Sequence, residues 1–508
     1  MNHRDKIKTL AELAETAQSA RAGGKKVVYC HGVFDLLHIG HIKHLEAARR
    51  LGDILIVTVT PDRFVNKGPH RPAFPEMLRA EALAAMGCVD WVGVNNWPTA
   101  VEPINIIKPD LFVKGIVRGE GKRDHSDAID QEENAIRGVG GNMVFTDEET
   151  YSASTLINRF MDIFTPEAKL FLEDFRSRHT PEEIIGHIQK INQLKVLTIG
   201  ETIIDEYHFC AALGKANKEP ILAVRNLYKE TYAGGILAIA NHVSGFCGQV
   251  GLMSMIGEVD SFEDFVHGKL YPNVTPMFLR QRGKPTLVKR RFVESYSGSK
   301  LFEVYIMENG KINGELEEAF CASLEEELPK YDVVVVADYG HGLFTDRSIK
   351  ILAEKAKFLA VNTQTNAGNM GFNMISKYPR ADFISIAEPE IRLDSRDMSG
   401  DLKKLVERAA KNSNCGRMVV TKGKNGCLCY DETTGFCEIP AFSVKMVDRI
   451  GSGDAVLALT APCVTLGLPM EVVGFIGNVA GAEACAIMGN KTPIEPSSLF
   501  RHITSLMK

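Results

Sequence analysis

Two histidines three residues apart are the first side chains along the chain whose types and spacing could do chemistry. His38 and His41 belong to the stretch YCHGVFDLLHIGH (29–41), which follows an apolar run and contains Gly32 and Gly40. At a helix start they would share one face, where free backbone N–H groups and the helix dipole already favour anions. Two imidazoles there can donate hydrogen bonds to a phosphate as charge builds in its transition state, and the glycines admit a nucleotide close to the backbone. The alternative is a pair of packed or solvated histidines without chemistry.

A second candidate is the carboxylate in a glycine-rich turn near the end of the chain. The stretch MVDRIGSGDAVLALTA (446–461) predicts a strand end, a tight turn and a helix of small residues. Gly451, Ser452 and Gly453 would present backbone N–H groups to a transferring phosphoryl group. Asp454 would take the proton from a sugar hydroxyl at that entrance. The alternative is that Asp454 only caps the helix.

Repeated strand–helix units must position both groups. Short runs rich in Val and Ile alternate with helical segments, which predicts parallel sheets covered by helices in an α/β fold. The alternation stops near Phe164, a charged amphipathic stretch follows, and a second series begins at LKVLTIGETIIDEY. We therefore predict a first domain over 1–164, a helical connector over 165–194 and a second domain over 195–508.

The bulk composition argues against several classes of protein. The 508 residues carry a formal net charge of -5, so no global field attracts nucleic acid. No run approaches about eighteen apolar residues and the first residues are polar, which predicts a cytoplasmic protein that does not enter a membrane. The eleven cysteines include Cys427 and Cys429, whose C-x-C spacing is not that of a zinc site. Reduced, packed thiols are expected.

The first histidine stretch resembles the signature G-x-F-D-x-x-H-x-G-H of the cytidylyltransferase-like nucleotidyltransferase family. The resemblance extends over 27–160 and includes NKGPHRP (66–72), PDLFVKG (109–115) and TYSASTLI (150–157). It is most similar to the transferase half of ADP-heptose synthesis enzymes. The resemblance implies a Rossmann-like domain with a parallel sheet, in which a sugar phosphate attacks the α-phosphate of a nucleoside triphosphate and expels pyrophosphate.

Residue by residue, this resemblance implies a phosphate site. His38 and His41 would hold the α- and β-phosphates, and Lys67 would reach the developing charge as a third catalytic residue. Asp35 would orient a metal ion or the nucleotide. The remaining nucleotide- or phosphate-binding candidates are Gly32, Phe34, Lys114, Ser154 and Thr155. Standing alone, Lys67 and Lys114 would be equally well explained as solvated surface lysines.

The glycine-rich turn resembles the carboxy-terminal signature D-T-x-G-A-G-D of ribokinase-like (PfkB) sugar kinases. The resemblance covers about 195–500 and includes IGETIIDEY (199–207), TLVKRRFV (286–293) and ADYGHGLF (337–344). It is most similar to the kinase half of ADP-heptose synthesis enzymes, with the two halves in reversed chain order. The resemblance implies a ribokinase-like α/β domain with a small β-lid supplied by 208–225, through which many such kinases form dimers.

The same resemblance assigns roles within this second domain. Asp454 would be the catalytic base, and Glu390 would hold Mg²⁺ through water. The nucleotide- or phosphate-binding candidates are Gly451, Ser452, Gly453, Lys422, Gly423 and Asn478. The substrate-binding candidates are Asp205, Gly234, Gly235, Asn241, Lys289, Arg291 and Asp338.

Three departures from the family pattern fall close to this site. Arg449 and Ile450 stand where the family carries a threonine pair, and Ala387 replaces the asparagine of its N-x-x-E motif. The motif GGAAN has become GGILAIAN, which would crowd the sugar pocket. These departures predict altered metal positioning and an altered choice of sugar.

Together these features predict a bifunctional enzyme of activated-sugar synthesis. It would use ATP and Mg²⁺ to phosphorylate a heptose 7-phosphate-like sugar phosphate at its anomeric hydroxyl. It would then join the sugar 1-phosphate to a nucleotide, giving an ADP-heptose-type product, and would act as a homodimer. One alternative is a CTP-dependent transferase for another sugar or polyol phosphate. The other is an active transferase carrying a catalytically weak, kinase-like module for binding or dimerisation.

Overall fold

The computed structural model divides the chain into two compact units. The first is Met1–Thr165 with Thr504–Leu506 and Lys508, and the second is Pro166–Ile503 with Met507. The structure describes residues 3–65, 71–115, 127–146, 164–308, 310–442 and 447–508.

The first unit contains a five-stranded parallel sheet in the order β3-β2-β1-β4-β5. Its strands are β1 (Val27–Gly32), β2 (Ile54–Val59), β3 (Trp91–Val94), β4 (Leu111–Gly115) and β5 (Asn142–Thr146). Its described helices are α1 (Leu10–Ala22), α2 (Ile39–Arg49), α3 (Glu76–Ala84), α4 (Val101–Ile107) and α5 (Asp127–Gly138). The strand order reverses between β1 and β4. Ligands of open α/β sheets bind beyond the carboxyl ends of strands at such a reversal, and α2 starts there.

The second unit contains a nine-stranded sheet in the order β10-β9-β6-β13-β14-β15-β16-β17-β18, parallel except for the hairpin at β16–β18. Its strands are β6 (Lys195–Gly200), β9 (Gln249–Val259), β10 (Val274–Pro285), β13 (Val333–Asp338), β14 (Leu359–Thr363), β15 (Phe383–Ala387), β16 (Arg417–Thr421), β17 (Cys427–Asp431) and β18 (Gly435–Ile439). The central strands are continuous apolar runs, as in VVVVAD, because helices cover both faces of the sheet.

The helices that surround this sheet follow the strands in chain order. They are α6 (Pro166–Arg178), α7 (Pro181–Gln189), α8 (Ile236–Ser244), α9 (Glu263–His267), α10 (Gly314–Glu327), α11 (Asp346–Lys355), α12 (Glu388–Ser395), α13 (Leu402–Asn412), α14 (Ser452–Thr465), α15 (Met470–Cys485) and α16 (Pro496–Leu506). The stretch predicted as a connector is helical over most of its length and packs within the second unit. The ring of Phe175 on α6 lies 4.5 Å from that of Phe475 on α15.

A separate four-stranded sheet, the lid sheet, has the order β12-β11-β7-β8. It consists of β7 (Thr202–Lys215), β8 (Leu222–Gly235), β11 (Val288–Glu294) and β12 (Lys300–Ile306). The predicted lid over 208–225 lies in this sheet. The lid sheet is larger than predicted because β11 pairs in parallel with β7 and places Lys289 beside Asp205. This pairing brings distant residues to one site.

Two further observations concern the whole described chain. Among its helices, none combines the length and the apolar character that crossing a membrane requires. The eleven cysteines are free thiols.

Candidate active sites

The first site lies where β1 leads into α2. His38 is the N-cap of α2, and its Nδ1 accepts a hydrogen bond from the backbone N–H of Gly40 at 3.1 Å. Because Nδ1 accepts, the neutral ring carries its proton on Nε2. That atom is buried and has no hydrogen-bond partner among the residues that the structure describes. A buried donor of this kind costs free energy until a ligand satisfies it, which an oxygen of a phosphate would do.

The second histidine shares this face of α2, as its spacing predicts. The rings of His38 and His41 lie 4.0 Å apart between centroids. Burial lowers the pKa of His38, so its ring is neutral near pH 7 and acts as a hydrogen-bond donor. Phe34 adopts a left-handed backbone, with φ of 48°, and its ring lies 5.4 Å from that of His41. A Cβ on Gly32 would lie 3.1 Å from the Phe34 ring, so glycine is needed for this close packing.

The turn before α2 is held by residues whose role the sequence did not reveal. Arg79 on α3 is buried and donates hydrogen bonds to the carbonyl oxygens of Val33 and, at 2.9 Å, Thr60. In the sequence it is one more arginine on an amphipathic helix. Asp35 was expected to orient a metal ion or nucleotide. Instead, its carboxylate accepts from Arg71 at 3.2 Å and fixes the turn.

The lysine at the end of β4 is already neutralised. Nζ of Lys114 forms an ion pair with Glu132 on α5 and lies over the ring of Phe112, 5.7 Å from its centroid. It can reach a phosphate only by exchanging that carboxylate for the ligand. The predicted residues Lys67, Ser154 and Thr155 lie outside the residues that the structure describes.

The second site is a cavity of about 370 Å³ in the second unit. It brings together candidates from both sheets and from the start of α14. The predicted residues that line it are Asp205, Gly235, Lys289, Arg291, Glu390, Gly451, Ser452, Gly453 and Asp454. A cavity of this size suits a small metabolite with part of a nucleotide.

Asp454 lies in the first turn of α14 and faces this cavity. Burial raises the pKa of its carboxyl, a hydrogen bond from Tyr339 counteracts part of that rise, the charge of Asp205 adds to it, and the net pKa is about 6. The hydroxyl of Tyr339 donates to Oδ1 at 2.9 Å. A carboxylate with this pKa is ionised at pH 7 yet basic enough to accept a hydroxyl proton. If Asp454 served only to cap α14, its burial at the cavity and its hydrogen bond from Tyr339 would have no explanation.

The turn before Asp454 leaves room for an anion. Gly451 has φ of +83°, and a Cβ there would lie 2.2 Å from Oδ1 of Asn490. A Cβ on Gly453 would meet nothing within 4 Å, so its backbone is open to the cavity. Asp448 fixes the turn, because its carboxylate accepts hydrogen bonds from the backbone N–H of Ile450 at 3.1 Å and from Nζ of Lys300 at 2.5 Å.

The opposite end of the cavity is a network of charges on the lid sheet. Arg291 forms ion pairs with Asp205 and, at 3.1 Å, Glu303, so its charge is balanced. These ion pairs hold Arg291 against Asp205 in the wall of the cavity, and its predicted role toward a substrate phosphate stays a prediction. Lys289 lies 5.1 Å from the centroid of the Tyr305 ring, and burial lowers its pKa although Asp205 raises it. A Cβ on Gly234 would lie 2.0 Å from Oδ2 of Asp205.

Glu390, the candidate for holding Mg²⁺, lines the cavity and is fixed by two backbone donors. Its oxygens accept from the backbone N–H groups of Thr365 at 3.0 Å and Ala387 at 2.9 Å. Each carboxylate oxygen keeps lone-pair capacity for a further donor. Burial raises the pKa of this carboxyl, the two backbone donors counteract part of that rise, and the net pKa of about 7 leaves it partly ionised near neutral pH.

A predicted residue, Asp338, lies behind the cavity and not in its wall. It pairs with Lys377 and accepts from the hydroxyl of Tyr378 at 2.7 Å. The unpredicted Glu201, also buried, accepts from the backbone N–H of Tyr339 at 3.0 Å. Both carboxylates hold the loop that places the Tyr339 hydroxyl on the carboxylate of Asp454.

Four other predicted residues are not brought into the cavity. Asn241 donates to the carbonyl of Lys269 at 2.9 Å, and its amide is used inside the fold. Lys422 pairs with Glu438 at 2.9 Å, beside Gly423. Asn478 donates to the carbonyl of Ile439 at 3.3 Å. Their amide and ammonium groups hold the structure together, a use that motif matching does not distinguish from ligand binding.

Comparison with known families agrees with this division into two sites. The model of the pfkB family carbohydrate kinases matches residues 193–496, more than half of the chain. The model of the family described as cytidylyltransferase-like matches residues 29–129. The predicted α/β fold class, with a ribokinase-like second domain, is confirmed.

Similar proteins include two that carry the name bifunctional protein HldE. The one from Syntrophotalea carbinolica is 34% identical over 165 residues, which is 32% of this chain and 32% of the relative. The one from Trichlorobacter lovleyi is 45% identical over 120 residues, or 23% of this chain and 24% of the relative. The matched part thus spans a third or less of these relatives. Phosphofructokinase-2 from Escherichia coli, solved with potassium, covers 62% of this chain and 100% of its own at a TM-score of 0.50 and 15% identity, which shows the fold alone.

Proposed function

The chain belongs to the pfkB family of carbohydrate kinases, and from this premise we propose that it is a bifunctional enzyme of nucleotide-sugar synthesis. Its second unit phosphorylates a heptose 7-phosphate-like sugar phosphate at the anomeric hydroxyl, with ATP as donor. Its first unit joins a sugar 1-phosphate to the nucleotide and releases pyrophosphate. The product is of the ADP-heptose type. The name of the relatives supports two activities in one chain.

The kinase step follows from the second site. Asp205, oriented by Arg291, accepts hydrogen bonds from sugar hydroxyls at the lid end of the cavity. Lys289 is the nearby cation that meets the phosphate the sugar already carries. Asp454 removes the proton from the attacking hydroxyl while the N–H groups of the Gly451–Gly453 turn receive the transferring phosphoryl group. Closure of the lid sheet would exclude water from the reacting groups.

Magnesium fits the residues at the nucleotide side of this cavity. Glu390 would hold the ion through water, since Mg²⁺ keeps several waters and takes few protein ligands. When bound, the ion supplies neutralisation of the phosphate charge. The remaining lone-pair capacity of the Glu390 carboxylate supports this assignment, even though Ala387 provides no side-chain amide.

The transferase step uses the first site. The Nε2–H of His38 and the ring of His41 donate to phosphate oxygens as the α-phosphate is attacked, next to the free N–H groups at the start of α2. Lys67, Ser154 and Thr155 keep the roles that the family resemblance implies. The choice between ATP and CTP depends on contacts to the base.

One observation carries this proposal: two separate helix starts each present an anion cradle with a chemically matched side chain. The test is mass spectrometry of products from heptose 7-phosphate, ATP and Mg²⁺, followed by sugar 1-phosphate with ATP or CTP. We expect a bisphosphate from the first mixture and ADP-heptose with pyrophosphate from the second. Absence of phosphorylation would overturn the kinase half, and a preference for CTP would favour the alternative transferase.

The lid sheet also offers a surface for a second copy of the chain. Several of its large apolar side chains are exposed, among them Leu213 at 65%, Tyr228 at 51% and Phe302 at 47%. Exposed apolar side chains of this kind suit an interface between copies. We expect a homodimer in the cytoplasm, which sedimentation of the wild type and of a Leu213→Lys variant would test.

A further inference from the structure

The cavity of the second unit holds a cation that none of the steps above uses. Among the residues that line the cavity in the described part of the chain, three are positively charged: Lys289, Arg291 and Arg449. The first two lie on β11 at the sugar end. Arg449 lies two residues before Gly451, in the loop that leads into α14.

The backbone of Arg449 is fixed although its side chain is exposed. Its carbonyl oxygen accepts from the hydroxyl of Ser452 at 3.0 Å, and the adjacent Asp448 is held by Lys300. The guanidinium is therefore attached to the same rigid turn that presents the phosphoryl cradle. The long side chain can follow a nucleotide phosphate as it arrives.

The electrostatics of the cavity require such a charge. Asp454 and Glu390 both face it as carboxylates, and both would repel a triphosphate. Of the two cations on β11, Arg291 pairs with Asp205 and Glu303, and Lys289 is assigned to the phosphate that the sugar already carries. Backbone N–H groups carry only partial charges, so a full positive charge beside them adds stabilisation when negative charge accumulates on the phosphoryl oxygens.

We propose that Arg449 is a catalytic residue that stabilises the transferring phosphoryl group, an inference that rests on the proposed kinase function. The sugar hydroxyl oxygen forms a bond to the γ-phosphorus while the bond from that phosphorus to the β–γ bridging oxygen breaks. The hydroxyl proton passes to Asp454, and ADP leaves with the electron pair. The guanidinium of Arg449 donates to the equatorial oxygens and to the departing bridging oxygen.

The test compares Arg449→Gln and Arg449→Lys in the full-length protein. The first removes the charge, and we expect kcat for ADP release to fall about 10²- to 10³-fold while KM for the sugar phosphate changes about threefold or less. The second retains a point charge and recovers part of kcat. Affinity for ADP with aluminium fluoride, a mimic of the transferring group, should fall with kcat, while affinity for ADP alone stays within about threefold.

The matched control is Arg282→Gln, an exposed arginine on β10 that does not line the cavity. It should leave kcat, KM and the aluminium fluoride complex unchanged. If wild-type protein phosphorylates the sugar and Arg449→Gln keeps its kcat, the role of Arg449 is refuted and the kinase function stands. If the wild type itself transfers no phosphoryl group, the proposed function fails and this inference fails with it.

Discussion

Removing one hydroxyl should move the pH dependence of the kinase in a defined direction. Tyr339 donates to Oδ1 of Asp454 at 2.9 Å and thereby offsets part of the rise that burial causes in the pKa of this carboxyl, which stands at about 6 with the bond in place. Tyr339→Phe deletes that donor and little else. The carboxylate loses stabilisation, so its pKa must rise. Asp454 acts as a base only when ionised, so the acid limb of the kcat profile must move to higher pH.

The size of the shift follows from the strength of the bond. A hydrogen bond to a charged group contributes roughly 1.5–3 kcal/mol, and about 1.4 kcal/mol corresponds to one pKa unit. Water entering the cavity replaces part of the interaction, so we expect a shift of about 1 pH unit, from near pH 6 to near pH 7. At pH 8.5 both proteins have an ionised base, and their kcat values should agree within about threefold.

The assay is ADP release between pH 5 and pH 9 at saturating ATP, sugar phosphate and Mg²⁺. Tyr271→Phe is the matched control, because its hydroxyl donates to Glu495 at the same distance of 2.9 Å and neither residue lines the cavity. Its acid limb should stay where the wild type has it. An unchanged or lowered limb in Tyr339→Phe would refute the assignment of Asp454 as the base that this tyrosine tunes.

Four more substitutions test other parts of the two sites. His38→Asn keeps a good helix cap for α2 but loses the Nε2–H donor. Pyrophosphate release should therefore fall about 10²- to 10³-fold while ADP release from the kinase stays unchanged. An equal loss of both activities would point to misfolding. Gly451→Ala places a Cβ 2.2 Å from Oδ1 of Asn490 at a φ of +83°, and it should lower the free energy of unfolding by about 1–2 kcal/mol or more. Gly453→Ala places a Cβ that meets nothing within 4 Å, and this variant should unfold at the same temperature as the wild type. Glu390→Gln should raise the Mg²⁺ concentration for half-maximal kinase rate about tenfold at pH 8. In the wild type that concentration should rise as the pH falls below about 7, because the Glu390 carboxyl, with a pKa of about 7, becomes protonated. Magnesium titrations in which this concentration does not change with pH would exclude Glu390 as the residue that holds the metal.

The parts of the site that the sequence predicted are local. His38 and His41 share a helix face because they are three residues apart, and their rings do lie 4.0 Å apart. Asp454 follows a turn of small residues into a helix, and it does lie in the first turn of α14. In both cases the strand–turn–helix pattern is sufficient, since hydrogen bonds within a few residues decide it.

The parts that the sequence did not predict are contacts between distant segments. Lysine, asparagine and aspartate side chains look alike in a motif whether they bind a ligand or hold a loop. Asp338 and Asn478 were expected at ligands, and the structure shows both holding loops. Arg79 shows the reverse case, because nothing in its helix pattern signals that its guanidinium is buried against the turn of the first site.

The sequence by itself determined the two α/β units, the two helix starts that we propose as phosphate sites, and the type of side chain at each. Tertiary structure alone decided which partner tunes each group. The Tyr339–Asp454 hydrogen bond joins residues 115 positions apart, and the Arg291–Asp205 pair joins residues 86 apart. Spacing along a helix or strand carries no information over such separations. They are fixed by which strands pair and how the sheets pack, and these contacts set the pKa of the base and the charge left available for substrate.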